Sequence, residues 1–376
     1  MDQKDRLLGY SQLLSLVADD YMMSETDIDE EERLAILMGR ENHISRIVLG
    51  KFMMTTARQL ERLALFEETE SNYERKQRTK IEKYLKATGM MLHHFSKTEN
   101  RNGYTEILMT VSSVGKDYYE VSEVAELLSK VFRKKMLPIS DNRFYIHQKP
   151  IRLCFQEEVR YQIFGGFAKA TKENEEVSGD NYLMREFGDG TYIAAIADGM
   201  GSGEEACRVS ESVLELLERY VEAGLSIQDF RDTCNDFLYM RRDMEQSVTV
   251  DILECNQYTG ESNFYKNGSC SSYLMQDGLI RKIPAGNQAF GVKLHAEKTK
   301  STVFLESGDW IVMMSDGVMD FYADHEEILY EIMKKNMHGP NELATAILGQ
   351  VVIAQKGKMI DDMTVLALYT CELSKE

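Results

Sequence analysis

A chain of 376 residues exceeds what one ordinary core holds, since single cores stop growing near roughly 250–300 residues, so two parts are expected. With 43% hydrophobic and 28% charged residues and 4 prolines, the composition is that of a folded protein and leaves little room for a long disordered tract. The formal charge of −18 divides as −1 over residues 1–150 and −17 over 151–376, which argues against nucleic acid or an anionic membrane surface as a direct partner and favours divalent cations.

Along the chain, the first hundred residues read as helix almost throughout. Leu7, Leu8, Leu13, Leu14 and Val17, then Ile44, Ile47, Val48, Leu60 and Leu63, recur at helical spacing. The acidic Ser24–Glu32 segment interrupts them as a solvated loop or helix start, and Thr69–Lys86 is a charged, helix-prone run ending near Gly89. From Tyr104 to Phe155, β-like runs (TEILMTVSSV, RFYIHQKPIRLCF) surround the helix-like VSEVAELLSKVFRKKM, which predicts a small mixed module.

Beyond it come many short strands: YQIFGGFAKAT, NYLMREF, TYIAAIAD, SVTVDILECN, SNFYKNG, SSYLMQ, STVFLES, DWIVMMSD and MTVLALYT. Helical stretches interrupt them at Glu204–Glu222, Ile227–Arg242, His325–Lys335 and Asn341–Gln355. Hairpin-sized turns (Tyr258–Glu261, Gln276–Gly278) favour antiparallel sheets over a parallel one. The expected division is residues 1–100 (helical), 101–155 (small mixed α/β module) and 156–376, where the chemistry lies.

The six cysteines are far apart and form no C-x-x-C pair, so neither a disulfide framework nor a cysteine-rich zinc site is expected. No run approaches the ~18 apolar residues of a membrane span, and the N-terminus lacks the features of a signal peptide. The chain as given is expected to be cytosolic.

Four acidic motifs stand out in the C-terminal part: SGDNY at Ser178–Tyr182, IADGMGSG at Ile196–Gly203, MSDGVMD at Met314–Asp320 and IDDMTV at Ile360–Val365. In IAAIAD and WIVMMSD an apolar run ends in Asp-Gly, and in DDMTVLALY the aspartates precede a strand. Hard oxygen ligands held at strand ends, with Gly allowing close backbone approach, suit Mg²⁺ or Mn²⁺. A single Asp-Gly is an ordinary turn. Several carboxylates gathered at one sheet end repel one another unless protonated or metal-bound.

Gly201-Ser202-Gly203-Glu204-Glu205-Ala206 matches the G-x-G-x-x-[GA] dinucleotide fingerprint, but Glu204 and Glu205 would stand where a pyrophosphate should lie. The seven histidines show no ligand spacing, and no G-x-S-x-G elbow is present.

With these motifs in this order, the chain resembles the protein phosphatase 2C-like (PPM) family, and most closely its stage II sporulation protein E phosphatases, from about Tyr161 to Leu373. The Thr69–Phe155 region looks like that group's regulatory and linker segment. The resemblance implies an α+β fold: a central β-sandwich of two antiparallel sheets flanked by helices, preceded by a helical and mixed regulatory region. It implies that Asp198 bridges two metal ions, Mn²⁺ or Mg²⁺, with Gly199 giving its carbonyl, Asp316 and Asp361 completing the site, and Asp180 reaching metal through water. Asp361 is favoured over Asp362 because the family's ligand is the first acid of that pair.

Many eukaryotic relatives carry a histidine where this chain has Met200, so a bound water is expected to protonate the leaving alkoxide. No phosphate-gripping arginine is assigned. The implied reaction is hydrolysis of a phosphoserine on an anti-sigma-factor antagonist, freeing a sporulation sigma factor under control of the N-terminal region, with a homodimer possible. Full-length members of that group have a membrane-spanning N-terminal region, so this chain is expected to be either a truncated piece on the cytoplasmic side, which is favoured, or a soluble relative. The alternative is a non-catalytic phosphoprotein-binding or dimeric signalling module on the same fold.

Overall fold

A computed structural model describes residues 12–16, 53–54, 56–57, 72–115, 118–139, 144–240, 247–293, 299–335 and 338–373. Residues 12–16 are helical. The helices expected around Leu7, Val17, Ile44–Val48 and Leu60–Leu63 lie wholly or largely outside the described residues, as do the Ser24–Glu32 segment and Arg242.

The first long element is α1 (Asn72–Ala87), followed by Gly89 at φ 83°, a left-handed geometry that suits glycine after a helix end. The chain then turns into β1 (Met90–Glu99), which pairs antiparallel with β2 (Thr105–Ser113). Here the sequence reading of helix to residue 100 is corrected. MMLHHFSKTE is a strand because β2 supplies its hydrogen-bonding partner across a tight Asn100–Tyr104 turn, and such long-range pairing overrides local propensity. The expected boundary at residue 100 therefore cuts through a hairpin.

Further on lie β3 (Tyr119–Glu120), α2 (Val121–Phe132), β4 (Met136–Pro138), β5 (Tyr145–Ile146) and β6 (Ile151–Glu157). A capping box starts α2: the Glu123 carboxylate accepts from the Glu120 backbone N–H at 3.1 Å. Sheet order is β1-β2-β6-β4. Ile81 and Leu85 of α1, Val124 and Leu128 of α2, and Ile107, Met109 and Phe155 of the sheet share one core. The module thus runs from α1 to β6.

Two five-stranded sheets follow. One has the order β14-β11-β10-β9-β8 and the other β13-β12-β15-β16-β7, with neighbouring strands antiparallel throughout. Their strands are β7 (Tyr161–Ala170), β8 (Asp180–Glu186), β9 (Thr191–Gly199), β10 (Val248–Asn256), β11 (Glu261–Asn267), β12 (Ser272–Gln276), β13 (Leu279–Ile283), β14 (Thr299–Phe304), β15 (Trp310–Met314) and β16 (Met363–Glu372). Asp277 and Gly278 both take positive φ, 48° and 74°, the conformation a two-residue hairpin needs between β12 and β13. The sequence reading missed β13.

Alternation sorts the core. Ala194 and Ile196 of β9 meet Leu253, Phe264, Leu274, Met313 and Leu366 between the sheets. Ile193, Ala195 and Ala197 face the other way, against α3 (Gly203–Glu222) and α4 (Ile227–Met240). On the far sheet Val312, Val365 and Ala367 pack under α5 (Asp316–Ala323), α6 (Glu326–Met333) and α7 (Pro340–Ala354). The result is the expected α+β sandwich in four layers: helices, sheet, sheet, helices. Helix α5 was not foreseen, because its first turn is the Asp316-Gly317 pair that reads as a turn.

Candidate active site

Register brings the four motifs to one end of the sandwich. Asp180 opens β8 and pairs directly with Asp198 near the end of β9. Asp198 has the same parity as Ala194 and Ile196, so its side chain belongs to the inter-sheet face. In the opposing sheet Met314 pairs with Val365, which sets Asp316, just past β15, beside Asp361, just before β16. Close backbone contacts lock these turns. A Cβ on Gly317 would strike the Asp362 carbonyl oxygen, and one on Gly199 the Ala206 carbonyl oxygen, so neither position admits a larger residue without displacing backbone.

The electrostatics of this end are severe. Asp180 is 1% exposed, and neither of its carboxylate oxygens has a hydrogen-bond partner in good geometry. The Ser315 and Thr364 hydroxyls stand near enough to favour its charged form, yet burial and the charges of Asp362 and Asp316 still raise its pKa to about 6. For Asp198, burial first and then Asp180, Asp316 and Asp361 push the pKa up to about 9. Asp316 has its own pKa raised, by burial and by Asp361. Such a group of acids is stable only when it holds protons or cations.

Asp361 and Asp362 part company. Both oxygens of Asp362, which is 4% exposed, are engaged by backbone: Oδ1 accepts from Lys172 N–H at 2.9 Å and Oδ2 from Gly179 N–H at 2.8 Å. Asp361 is half exposed, accepts one bond from the Asp362 N–H, and lies 3.6 Å from the Lys172 ammonium. Asp362 therefore staples the β7–β8 loop, and Asp361 keeps lone pairs for a ligand. Among the described residues no three His, Cys, Asp or Glu side chains converge tightly enough to grip one ion as they stand; the carboxylates adjoin one another pairwise.

Sequence reasoning passed over the residues that hold the loop above these acids. Lys169 Nζ donates to the Asp180 carbonyl at 2.6 Å. Ser210 Oγ donates to the Gly179 carbonyl at 2.6 Å, and Ser202 Oγ donates to Glu175 at 2.8 Å, tying the loop to the start of α3. Only the doubled acid of IDDMTV carried a signal for Asp362. Met200 is 64% exposed and its thioether is approached by the Ser247 hydroxyl.

The two-sheet α+β sandwich is the fold of the PP2C phosphatase structures that this chain resembles. Residues 188–370 match the family described as Stage II sporulation protein E. The stage II sporulation protein E of Bacillus subtilis (strain 168) is 29% identical over 297 residues, 78% of this chain and 36% of that protein. Phosphoserine phosphatase RsbX of the same organism is 31% identical over 88 residues, 23% of this chain and 43% of that protein.

The solved structure of the PP2C phosphatase domain and a fragment of the regulatory domain of SpoIIE from B. subtilis superposes with a TM-score of 0.65 at 25% identity, covering 93% of this chain and all of that one. The chain spans about a third of the length of the curated sporulation protein it matches.

Proposed function

We propose that this chain is a metal-dependent serine/threonine phosphoprotein phosphatase in which Asp198, Gly199, Asp316 and Asp361 hold two Mn²⁺ or Mg²⁺ ions, with Asp180 in the surrounding shell. The observation that carries the reading is the buried, unpartnered pair of oxygens on Asp180 beside an Asp198 whose pKa is pushed up to about 9. These donors are all hard oxygens, so they fit a hard divalent cation. When bound, the ions would supply Lewis-acid activation of water and neutralise phosphoryl charge.

The chain's own residues do the rest. Asp362 fixes the loop through two backbone N–H groups, keeping Asp361 at the mouth. The Lys172 ammonium, 3.6 Å from Asp361, places a positive charge where a phosphate monoester would enter. Met200 and Ile360, 64% and 68% exposed, give that mouth an apolar rim, which suits a protein surface better than a small metabolite.

Within this reading the substrate is a phosphoserine on a small anti-sigma-factor antagonist, in keeping with the similarity to a phosphoserine phosphatase, and the N-terminal region sets the rate through α3 and α4, which directly follow Asp198-Gly199. A homodimer is part of the same proposal. No described helix is long and apolar enough to cross a membrane. Met200, which cannot donate a proton, favours the second reading of a non-catalytic binding module.

The test is release of p-nitrophenol from p-nitrophenyl phosphate with Mn²⁺, Mg²⁺ or EDTA. Metal-dependent turnover abolished by Asp198→Asn supports the phosphatase; turnover indifferent to both metal and Asp198 rejects it.

A further inference from the structure

The sandwich interior holds one group that the acidic site does not use. Lys266 of β11 is 1% exposed, and its ammonium donates to Asp251 Oδ2 at 2.6 Å, to the Cys270 carbonyl at 2.6 Å and to Ser272 Oγ at 2.7 Å. Asp251 is itself buried, pairs with Ile196 of β9 and accepts from Ser272 at 2.8 Å. It stands two residues along β10 from Thr249, the partner of Asp198. A buried ion pair alone is weak ground for any role, because hydrophobic replacements often serve stability as well.

What distinguishes this one is the bond to the Cys270 carbonyl. Lys266 grips the backbone of the Gly268–Ser271 loop, and Cys270 of that loop packs against the core that includes Val318 and Met319 of α5, the helix that begins at Asp316. From the other side Arg231 of α4, 2% exposed, donates to Asn267 Oδ1 at 2.8 Å.

We infer that Lys266 is a positioning residue: by holding Asp251 and the Cys270 carbonyl together, it fixes the loop on which the Asp316 turn is seated, and so sets the spacing of Asp316 from Asp198. The catalytic consequence rests on the phosphatase reading; the structural one does not. Lys266→Met alone strands a buried carboxylate and will lower the melting temperature. The informative variant is therefore Lys266→Met/Asp251→Asn, which removes both charges and keeps an acceptor for Ser272.

Hydrogen exchange on the metal-free chain and calorimetric titration with Mn²⁺ read the two parts separately. For the double variant, with its melting temperature restored to near wild type, faster exchange at both residues 267–272 and 315–320 is expected, with Mn²⁺ affinity about 10- to 100-fold weaker, as for lost outer-shell support. Faster exchange confined to 267–272 with unchanged Mn²⁺ affinity would overturn the inference. If the wild-type chain releases no phosphate, the phosphatase reading falls, while the exchange pattern still decides the role of Lys266.

Discussion

At the scale of single residues, the site is organised by what each carboxylate lacks. Asp362 has two backbone donors and Asp180 has none in good geometry, although both are buried. Replacing Asp362 by Asn turns one acceptor into a donor facing an N–H. We predict that Asp362→Asn weakens Mn²⁺ binding about 10- to 100-fold without abolishing it, whereas Asp361→Asn removes a ligand and abolishes metal-dependent turnover; titration calorimetry separates the two.

The raised pKa values give a pH prediction of definite sign. A carboxyl whose folded pKa lies above its unfolded value binds more protons when folded, so stability is present at low pH and is lost as pH rises. For the metal-free chain the loss runs from about 4 to about 6 for Asp180 and on to about 9 for Asp198. Thermal melts in EDTA should therefore fall in midpoint across that window, and Mn²⁺ or Asp198→Asn should flatten the slope. A midpoint that instead rises from pH 5 to 8 would show that these acids are not packed as described.

At the scale of elements, strand ends and glycines fix the geometry. The Ala206 carbonyl at the start of α3 presses against Gly199, and the Asp362 carbonyl against Gly317. Gly199→Ala is predicted to cost about 1–3 kcal/mol of stability through overpacking and to displace the start of α3, lowering activity more than stability. Urea denaturation and phosphate release on the same preparation test this; equal losses in both would mean that the glycine serves folding alone.

Most of these elements were legible in the sequence because alternation in runs such as TYIAAIAD and MTVLALYT is strong, and the sheet ends fell where the aspartates stood. Other features were not. The strand Met90–Glu99 owes its state to a partner across a turn, and α5 hides behind a turn-like Asp-Gly. Asp362 and Asp361 are adjacent and chemically identical, so only the tertiary path of the Lys172–Gly179 loop tells them apart. Lys266 carries no motif at all; its importance comes from burial, which a lone lysine in a strand does not announce.

At the scale of the whole molecule, the N-terminal module meets the sandwich through the tip of the β1–β2 hairpin. Arg101 forms ion pairs with Asp189 at 3.0 Å and Glu254 at 3.5 Å and donates to the Leu225 carbonyl between α3 and α4. Asn102 bonds the Asp189 carbonyl and Thr191, and Tyr104 stacks on Tyr258 at 3.6 Å. This contact lies at the Thr191 end of β9, opposite Asp198, and touches the far end of the helical pair whose near end follows Gly199. It gives the proposed control by the N-terminal region a physical route. Arg101→Ala should cost about 1–3 kcal/mol, the scale of losing charged hydrogen bonds at a part-buried site, and should split the calorimetric unfolding transition if the module and the sandwich are coupled through this tip.

The central claim is that the acids at one end of the sandwich form a divalent-metal phosphatase site. Its most direct test is release of inorganic phosphate from a phosphoserine protein as Mn²⁺ is titrated, for the wild-type chain and for Asp198→Asn and Asp361→Asn. Saturable, Mn²⁺-dependent release that disappears in both variants is predicted; no release from the wild type at any Mn²⁺ concentration, or release that survives Asp198→Asn, would contradict it.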